Sequence, residues 1–227
     1  MPDGPVDRWS NAAGDVSPRR AELHRLADAG RLVIDRMATT DAPHAAIERA
    51  AELLEAAARE LDGPGRRRTY QGFAESANAG GAPHAHFDHR PVMGMANPIA
   101  PPTRMESGGR RSIVMYMRFG AAYEGPPGSV HGGVVAAAFD EILGMTQSLS
   151  GQPGMTGTLT IRYRRPTPLY RDLRFEGRLE RVEGRKILTT GTCHDGETLT
   201  AEADGLFISV DFDKLAAMMT ARDAPST

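Results

Sequence analysis

The stretch VHGGVVAAAFDEILGMTQSL, residues 130 to 149, decides the fold of this chain of 227 residues. Most of its residues are apolar or small, which predicts one long helix packed against a core. Two glycines open this helix, so a ligand can approach the free N–H groups of its first turn. One strip of the helix carries small residues and a single carboxylate at spacings of three, four or seven: Gly133, Ala136, Ala137, Asp140 and Gly144. A carboxylate on such a helix either takes part in chemistry or faces water beside Glu141.

The sequence on both sides of this helix predicts the strands of a sheet. Before it, Ile113, Met115 and Met117 alternate with residues of the opposite face, as in a half-buried strand. After it come further strands. One has Leu159, Ile161 and Tyr163 on a single face, and the next has Leu173, Phe175 and Leu179 on a single face. The last two strands are predicted over residues 187–193 and 199–210. Tight hairpin turns are expected at Glu183-Gly184 and Asp195-Gly196. One strand, one long helix and then an antiparallel meander predict an α+β fold in which the helix lies against a curved sheet.

The N-terminal part of the chain predicts two helices. Ser17-Pro18 places a capping hydroxyl before a proline at the first helical position, and a second helix begins after Asp41-Ala-Pro43. The following segment is rich in Gly, Pro, Ala and Asn without periodicity, which predicts a long ordered loop or a linker rather than a core element. The predicted division is therefore a helical extension, a linker, an α+β domain and a C-terminal tail: residues 1–62, 63–109, 110–212 and 213–227.

Composition and charge exclude several classes of function. The formal net charge is −2, and residues 17–68 hold ten Arg against nine Asp and Glu, so no nucleic-acid partner is expected. The single cysteine, Cys193, builds neither an intrachain disulfide nor a thiolate metal cage, and we interpret it as a packing residue of a strand. No apolar run reaches 18 residues and no secretory leader is visible at the N-terminus. We therefore expect a soluble, cytoplasmic protein without a membrane span.

Six collinear blocks between about residues 110 and 212 resemble one known family. They are EGPPG (124–128), HGG (131–133) through Asp140, MT (155–156), IRYRRP (161–166) with PL (168–169), VEGRK (182–186) and EA…LFI (202–208). This pattern resembles the hotdog-fold acyl-CoA thioesterases of the phenylacetic-acid-degradation type. Within that family it is most similar to the branch of human thioesterase superfamily members four and five. The resemblance implies a hotdog fold for the α+β domain.

The resemblance also implies roles for four residues. Asp140 matches the acid that either activates water or attacks the thioester carbonyl, and the backbone N–H of Gly132 matches the group that polarises this carbonyl. Thr156 matches a threonine that helps hold water or substrate. His131 matches the signature histidine, for which a structural role, such as capping the helix, is as well supported as a chemical one. Related subfamilies use an Asn or Gln from the preceding loop, and residues 123–130 contain neither.

The spacing of two of these groups predicts that two chains build one site. Gly132 and Asp140 are separated by about 12 Å along a helix at 1.5 Å per residue, so one helix cannot present both to the same carbonyl. Antiparallel helices from two subunits can. We expect a homodimer or a dimer of dimers with active sites at the subunit interface, as the resemblance implies, and an inactive monomer.

A set of substrate-binding residues follows from the same resemblance. The acyl group is expected to enter beside the long helix, next to Gly133, Val134, Ala136 and Ala137, with Val135, Ala138 and Phe139 also available to shape a tunnel. Because coenzyme A carries phosphates, a basic rim is expected. The candidates for this rim are Arg162, Arg164, Arg165, Arg185 and Lys186, each of which also fits a solvated strand face.

A competing motif lies in the predicted linker. His84, His86, Asp88 and His89 spell HxHxDH, the metal-binding string of the metallo-β-lactamase superfamily. No apolar strand precedes the string, and the chain after it is used by the hotdog pattern, so we expect no catalytic metal and no redox cofactor.

The predicted activity is hydrolysis of an acyl-CoA, with a medium- or long-chain acyl group favoured and an aryl group as an alternative. Two rival functions stay open. One is a non-catalytic acyl-CoA sensor whose N-terminal helices contact DNA or a protein partner. The other is hydrolysis of thioesters of acyl-carrier protein, which the same basic rim would serve.

Overall fold

The predicted α+β layout is confirmed by a computed structural model, which describes residues 17–63, 88–152 and 154–210. The helices are α1 (Pro18–Thr39), α2 (His44–Glu60) and α3 (Gly132–Gln147), and short 3₁₀ turns occupy Ala121–Tyr123 and Ser148–Ser150. The strands are β1 (Thr103–Ser107), β2 (Ser112–Arg118), β3 (Gly154–Tyr163), β4 (Asp172–Glu183), β5 (Lys186–Asp195) and β6 (Thr198–Ser209). No helix in these described ranges is long and apolar enough to cross a membrane.

The six strands form one sheet in the order β1-β2-β4-β5-β6-β3, with every neighbouring pair antiparallel. Strands β4, β5 and β6 form the predicted meander. The expectation that β3 belongs to this meander is wrong, because β3 pairs with β6 at the far edge. Helix α3 contacts β2, β4, β5, β6 and β3, so it carries the chain across one face of the sheet before β3 begins.

The core lies between α3 and the sheet. Phe139 and Ile142 of α3 are fully buried, and the ring of Phe139 packs edge-on against Phe175 of β4 at 5.4 Å between centroids. Each large side chain of this kind contributes about 1.5–3 kcal/mol through burial. Gly177 of β4 allows the helix to approach closely, since a Cβ there would lie 2.2 Å from the hydroxyl of Thr146. The long helix is therefore held firmly against the strands.

The segment before β2 is more ordered than a linker. Residues 88–100 form turns, and β1 pairs with β2 along its whole length. Met93, Ala100 and Met105 are buried. The prediction of a loop or linker over 63–109 is therefore wrong for β1. The strand is short and lies among Pro and Gly residues, so the sequence shows no alternating pattern that would predict it.

The two N-terminal helices begin where the sequence predicts. The hydroxyl of Ser17 accepts a hydrogen bond from the N–H of Arg20, and Pro18 occupies the first helical position of α1. The guanidinium of Arg31 fastens α1 to the turns before β1 by donating to four carbonyl oxygens, those of Gly94, Met95, Asn97 and Ala100. Helix α2 buries none of its residues and leaves Ile47 and Leu53 exposed.

Candidate active site

The predicted acid, Asp140, lies in the middle of α3 with its side chain exposed. The hydroxyl of Thr156, on β3, donates a hydrogen bond of 2.8 Å to one of its carboxylate oxygens. The structure thus brings together these two candidate residues. A carboxylate oriented by a single hydroxyl and otherwise open keeps lone pairs free to accept a proton from water or to attack a carbonyl.

A β-bulge in β3 makes this contact possible. The register of β3 with β6 shifts between Thr156 and Thr158, which leaves Gly157 as the additional residue. Without the bulge, Thr156 would lie on the face opposite to Leu159 and Ile161, since their positions differ in parity. With it, all three face α3, and Leu159 and Ile161 pack against the core.

At the start of α3, His131 caps the helix. It is the N-cap residue, and its Nδ1 accepts a hydrogen bond of 3.0 Å from the N–H of Gly133. The structural role considered for His131 is therefore present. Gly132 is the first helical residue, and the N–H groups of a first turn have no partner within the helix. Its N–H is consequently suited to polarise a carbonyl oxygen.

Tyr163, at the end of β3, contacts the same glycine, and the sequence did not assign it a role. Its hydroxyl donates a hydrogen bond of 2.8 Å to the carbonyl oxygen of Gly132. In the sequence, only the position of Tyr163 indicated such a contact: it follows Ile161 by two residues and therefore lies on the same face of the strand, the face that meets α3. β3 therefore contacts both functional positions of α3, Asp140 through Thr156 and Gly132 through Tyr163.

The small-residue strip of α3 and the neighbouring Val134 are accessible in the single chain. Gly133 is exposed, and Val134, Ala136, Ala137 and Gly144 are half-buried. Three further residues were expected to shape a tunnel, and here the structure corrects the expectation: Val135, Ala138 and Phe139 are fully buried against the sheet. They lie on the opposite side of the helix and belong to the core.

The predicted basic rim does not lie on the face that carries Asp140. Arg162 and Arg164 alternate with Ile161 and Tyr163 along the chain, so their side chains leave the opposite face of the sheet. Arg162 forms an ion pair of 2.6 Å with Asp204 of β6. Arg164 bonds Glu202 on the same strand.

The other rim candidates lie at separate places. Arg185, in the turn between β4 and β5, donates to the carbonyl oxygen of Ser209, and Lys186 is exposed at the start of β5. Arg165 is exposed just after β3. Among the described residues, none of these three forms a hydrogen bond or an ion pair with Asp140.

A buried ion pair adjoins the acid and was not predicted from the sequence. Glu141, the next residue on α3, bonds the guanidinium of Arg90 from the turns before β1. Burial raises the pKa of Glu141, the charge of Arg90 opposes this shift, and the neighbouring Asp140 adds to it. The turns before β1 therefore contact α3 at the position next to the acid.

The metal-binding string is only partly within the described residues. Its first two histidines, His84 and His86, lie outside them. Asp88 is buried and accepts hydrogen bonds from Arg20, at 2.7 Å, and from His24, at 2.8 Å, both on α1. Burial alone would raise the pKa of Asp88, but the hydrogen bonds and the charges of Arg20 and His24 together outweigh it and hold the pKa below its usual value. Among the described residues no cluster of three His, Cys, Asp or Glu side chains is suited to a metal ion.

A cavity of about 180 Å³ lies apart from these residues, between α1 and the end of β2. Arg31, Asp35, Arg118 and Tyr170 are among its lining residues, and Asp140 is not. Asp140 itself is exposed at the surface of the single chain.

An acid on a central helix, an HGG turn at the start of that helix and a six-stranded antiparallel sheet beneath it define the hotdog class of proteins. A family model described as the thioesterase superfamily matches residues 127–202. The crystal structure of a thioesterase superfamily protein matches with a TM-score of 0.71 and 35% sequence identity, over 82% of this chain and 94% of that chain. The chain therefore belongs to the thioesterase superfamily.

Curated relatives narrow the resemblance to the predicted branch. The acyl-coenzyme A thioesterase THEM4 of Rattus norvegicus is 37% identical over 106 residues, which are 46% of this chain and 46% of the relative. The acyl-coenzyme A thioesterase THEM5 of Homo sapiens is 29% identical over 107 residues, which are 46% of this chain and 43% of the relative. The chain thus spans about half the length of the curated relatives it matches.

Proposed function

We propose that the protein is an acyl-CoA thioesterase, which hydrolyses an acyl-CoA to a free acid and coenzyme A. The observation that carries the proposal is the hydrogen bond of 2.8 Å between Thr156 and Asp140, on a helix whose first turn offers the N–H of Gly132. The names of the THEM4 and THEM5 relatives support the same reaction class.

Asp140 supplies the chemistry in either of two ways. As a general base, it takes a proton from water while the water oxygen attacks the thioester carbonyl carbon. As a nucleophile, its oxygen attacks this carbon and forms an anhydride, which water then hydrolyses. In both routes the carbon–sulfur bond breaks and the departing thiolate takes up a proton. The N–H of Gly132 stabilises the oxyanion that forms on the carbonyl oxygen.

Two copies of the chain complete the proposed site. Gly132 and Asp140 lie at opposite ends of about 12 Å of helix, so the carbonyl of one substrate needs them from different subunits. Within one chain, Tyr163 contacts Gly132 and Thr156 contacts Asp140. Antiparallel pairing of two β3 strands about a two-fold axis puts the Tyr163 end of one strand beside the Thr156 end of the other. The Gly132 of each subunit then faces the Asp140 of its partner.

The edge position of β3 supports this arrangement. Within the described residues β3 pairs on one side only, with β6. It is ten residues long and leaves Met155 and Tyr163 each 54% exposed. A long, open edge with apolar side chains is a surface that natural proteins normally cover. A homodimer, or a dimer of such dimers, covers it with the same strand of a second copy.

The acyl chain is proposed to lie along the accessible strip of α3, beside Gly133, Val134, Ala136 and Ala137. Medium- and long-chain acyl groups fit the apolar character of this strip, and an aryl group is the alternative. The phosphates of coenzyme A are assigned to Arg165, Lys186 and Arg185. Within the described part of the chain, the acids of β6 form ion pairs with Arg162 and Arg164 and not with these three. The reaction as written needs neither a metal nor a redox cofactor. A cytoplasmic location is part of the proposal, since one cysteine offers no disulfide framework.

The test is release of CoA from a panel of acyl-CoAs in the presence of EDTA, for the wild type and for Asp140→Asn. Turnover in the variant should fall by roughly 10² or more. Asp172→Asn, which changes an exposed aspartate at the start of β4, is the matched control and should keep wild-type turnover. No release across the panel, with acyl-CoA still bound, would favour the sensor. Release from acyl-carrier protein alone would favour the carrier-protein reaction, and loss of activity to EDTA would revive a metal site.

A further inference from the structure

The HGG turn is held by a side chain from outside the helix. The hydroxyl of Tyr163 donates a 2.8 Å hydrogen bond to the carbonyl oxygen of Gly132. Its ring also lies against this glycine, since a Cβ on Gly132 would meet the ring carbon Cζ at 3.4 Å. Two consecutive glycines have more backbone freedom than any other pair, so a fixed direction for their N–H groups needs such contacts.

The same peptide group connects Tyr163 to His131. The carbonyl of Gly132 and the N–H of Gly133 are the two ends of one peptide unit. The first accepts from Tyr163, and the second donates to Nδ1 of His131 at 3.0 Å. Hydrogen bonds arranged in such a chain polarise and strengthen one another. Because Nδ1 is the acceptor, the neutral imidazole carries its proton on Nε2.

We propose that Tyr163 is a positioning residue of the active site, acting through the peptide group between Gly132 and Gly133. This inference rests on the proposed thioesterase function. The hydroxyl of Tyr163 holds the peptide plane between Gly132 and Gly133, and its ring packs against Gly132, whose N–H points toward the thioester oxygen. Through Gly133 it also holds the ring of His131 with Nε2–H as the outward donor. Such preorganisation lowers the barrier of the chemical step and leaves substrate binding unchanged.

The variant that tests this role is Tyr163→Phe, which keeps the ring contact and removes only the hydroxyl. We expect kcat to fall about tenfold, less than the roughly hundredfold cost of losing a direct oxyanion donor. KM, the unfolding temperature and the dimer mass measured by sedimentation should stay at their wild-type values. The matched control is Tyr170→Phe, which removes a hydroxyl bonded to Asp35 and to the N–H of Ala121, away from α3. It should leave kcat unchanged.

A second measurement does not depend on turnover. Two-bond ¹⁵N NMR correlations of the neutral His131 ring should show the Nε2–H form in the wild type. In Tyr163→Phe we expect a mixture of the two tautomers. An unchanged tautomer together with wild-type kcat would overturn the positioning role. A loss of kcat accompanied by loss of the dimer would also overturn it, because Tyr163 would then act through the interface. Failure of the wild type to hydrolyse any acyl-CoA would instead reject the proposed function.

Discussion

Asp140 and Glu141 are consecutive residues of α3, and their carboxylates lie in opposite environments. Asp140 is exposed and accepts a hydrogen bond from Thr156, whereas the side chain of Glu141 is 11% exposed and bonds Arg90. Adjacent residues of a helix point about 100° apart, which allows one carboxylate to face the open strip and the next to face the turns before β1. One turn of helix therefore carries both the proposed reactive acid and the acid that binds the turns before β1.

The hydroxyl of Thr156 orients Asp140, so its removal should lower kcat. We expect Thr156→Val, which keeps the shape of the side chain, to reduce kcat about tenfold, within the range for a lost hydrogen bond to a charged group. Thr156→Ser retains the donor and should keep most of the activity. Steady-state kinetics with one acyl-CoA checks both variants, and equal kcat values for Val and Ser would contradict the role of the hydroxyl.

Arg90 compensates the buried charge of Glu141. Arg90→Met leaves this carboxylate without its guanidinium, and we expect the free energy of unfolding to fall by about 3 kcal/mol, as measured by urea denaturation. Replacing both partners, Arg90→Met with Glu141→Leu, should recover most of this loss, because an apolar pair no longer needs compensation. A double variant no more stable than Arg90→Met would show that the loss does not come from the ion pair.

The cluster of Asp88 with Arg20 and His24 should make stability depend on pH. The pKa of Asp88 is lowered in the folded state, so its contribution is present above the unfolded pKa, about 3.9, and is lost as the pH falls through the folded value. We expect Asp88→Asn to lower the free energy of unfolding by about 2 kcal/mol at neutral pH. Denaturation at a series of pH values should show this difference shrinking below about pH 4. A difference independent of pH would contradict the ionised role of Asp88.

Two inactive variants should restore activity to each other if the site spans two subunits. Gly132→Val places a branched side chain against the ring of Tyr163 and obstructs the approach of a carbonyl oxygen to the backbone N–H, and Asp140→Asn removes the acid. In a mixed dimer of these chains, one of the two sites has both intact groups. Random mixing after unfolding and refolding together should therefore give about a quarter of the wild-type activity. A mixture as inactive as its components would place both groups within one chain.

Burial raises the pKa of the Cys193 thiol to about 12, so the thiolate is scarce at ordinary pH. We expect the native protein not to react with a chromogenic disulfide reagent at about pH 8. The unfolded protein should release one equivalent, since the chain has a single cysteine. Rapid labelling of the native protein would contradict the assignment of Cys193 to the core.

Local patterns in the sequence predicted several elements correctly. Ser17 and Pro18 marked the start of α1, the alternation of Ile113, Met115 and Met117 marked β2, and the apolar run with HGG marked α3. These signals are local, because caps and periodicity depend on residues within a few positions of one another. The same stretch also contained Asp140 and Gly132, which the structure puts on one helix.

Other features depended on contacts that local patterns do not encode. The pairing of β3 with β6 depends on α3, which crosses one face of the sheet and so places β3 at its far edge. The bulge at Gly157 changes which face Thr156 occupies, and strict alternation would have turned its hydroxyl away from Asp140.

By itself, the sequence determined the helix that carries Asp140, the apolar faces of the strands and the HGG turn at the start of α3. Only the tertiary structure decided that Thr156 bonds Asp140, that Tyr163 bonds Gly132 and that Arg90 bonds Glu141. The physical reason is distance along the chain. The partners are separated by 16, 31 and 51 residues, and such contacts are set by strand register and helix packing rather than by the periodicity of one element.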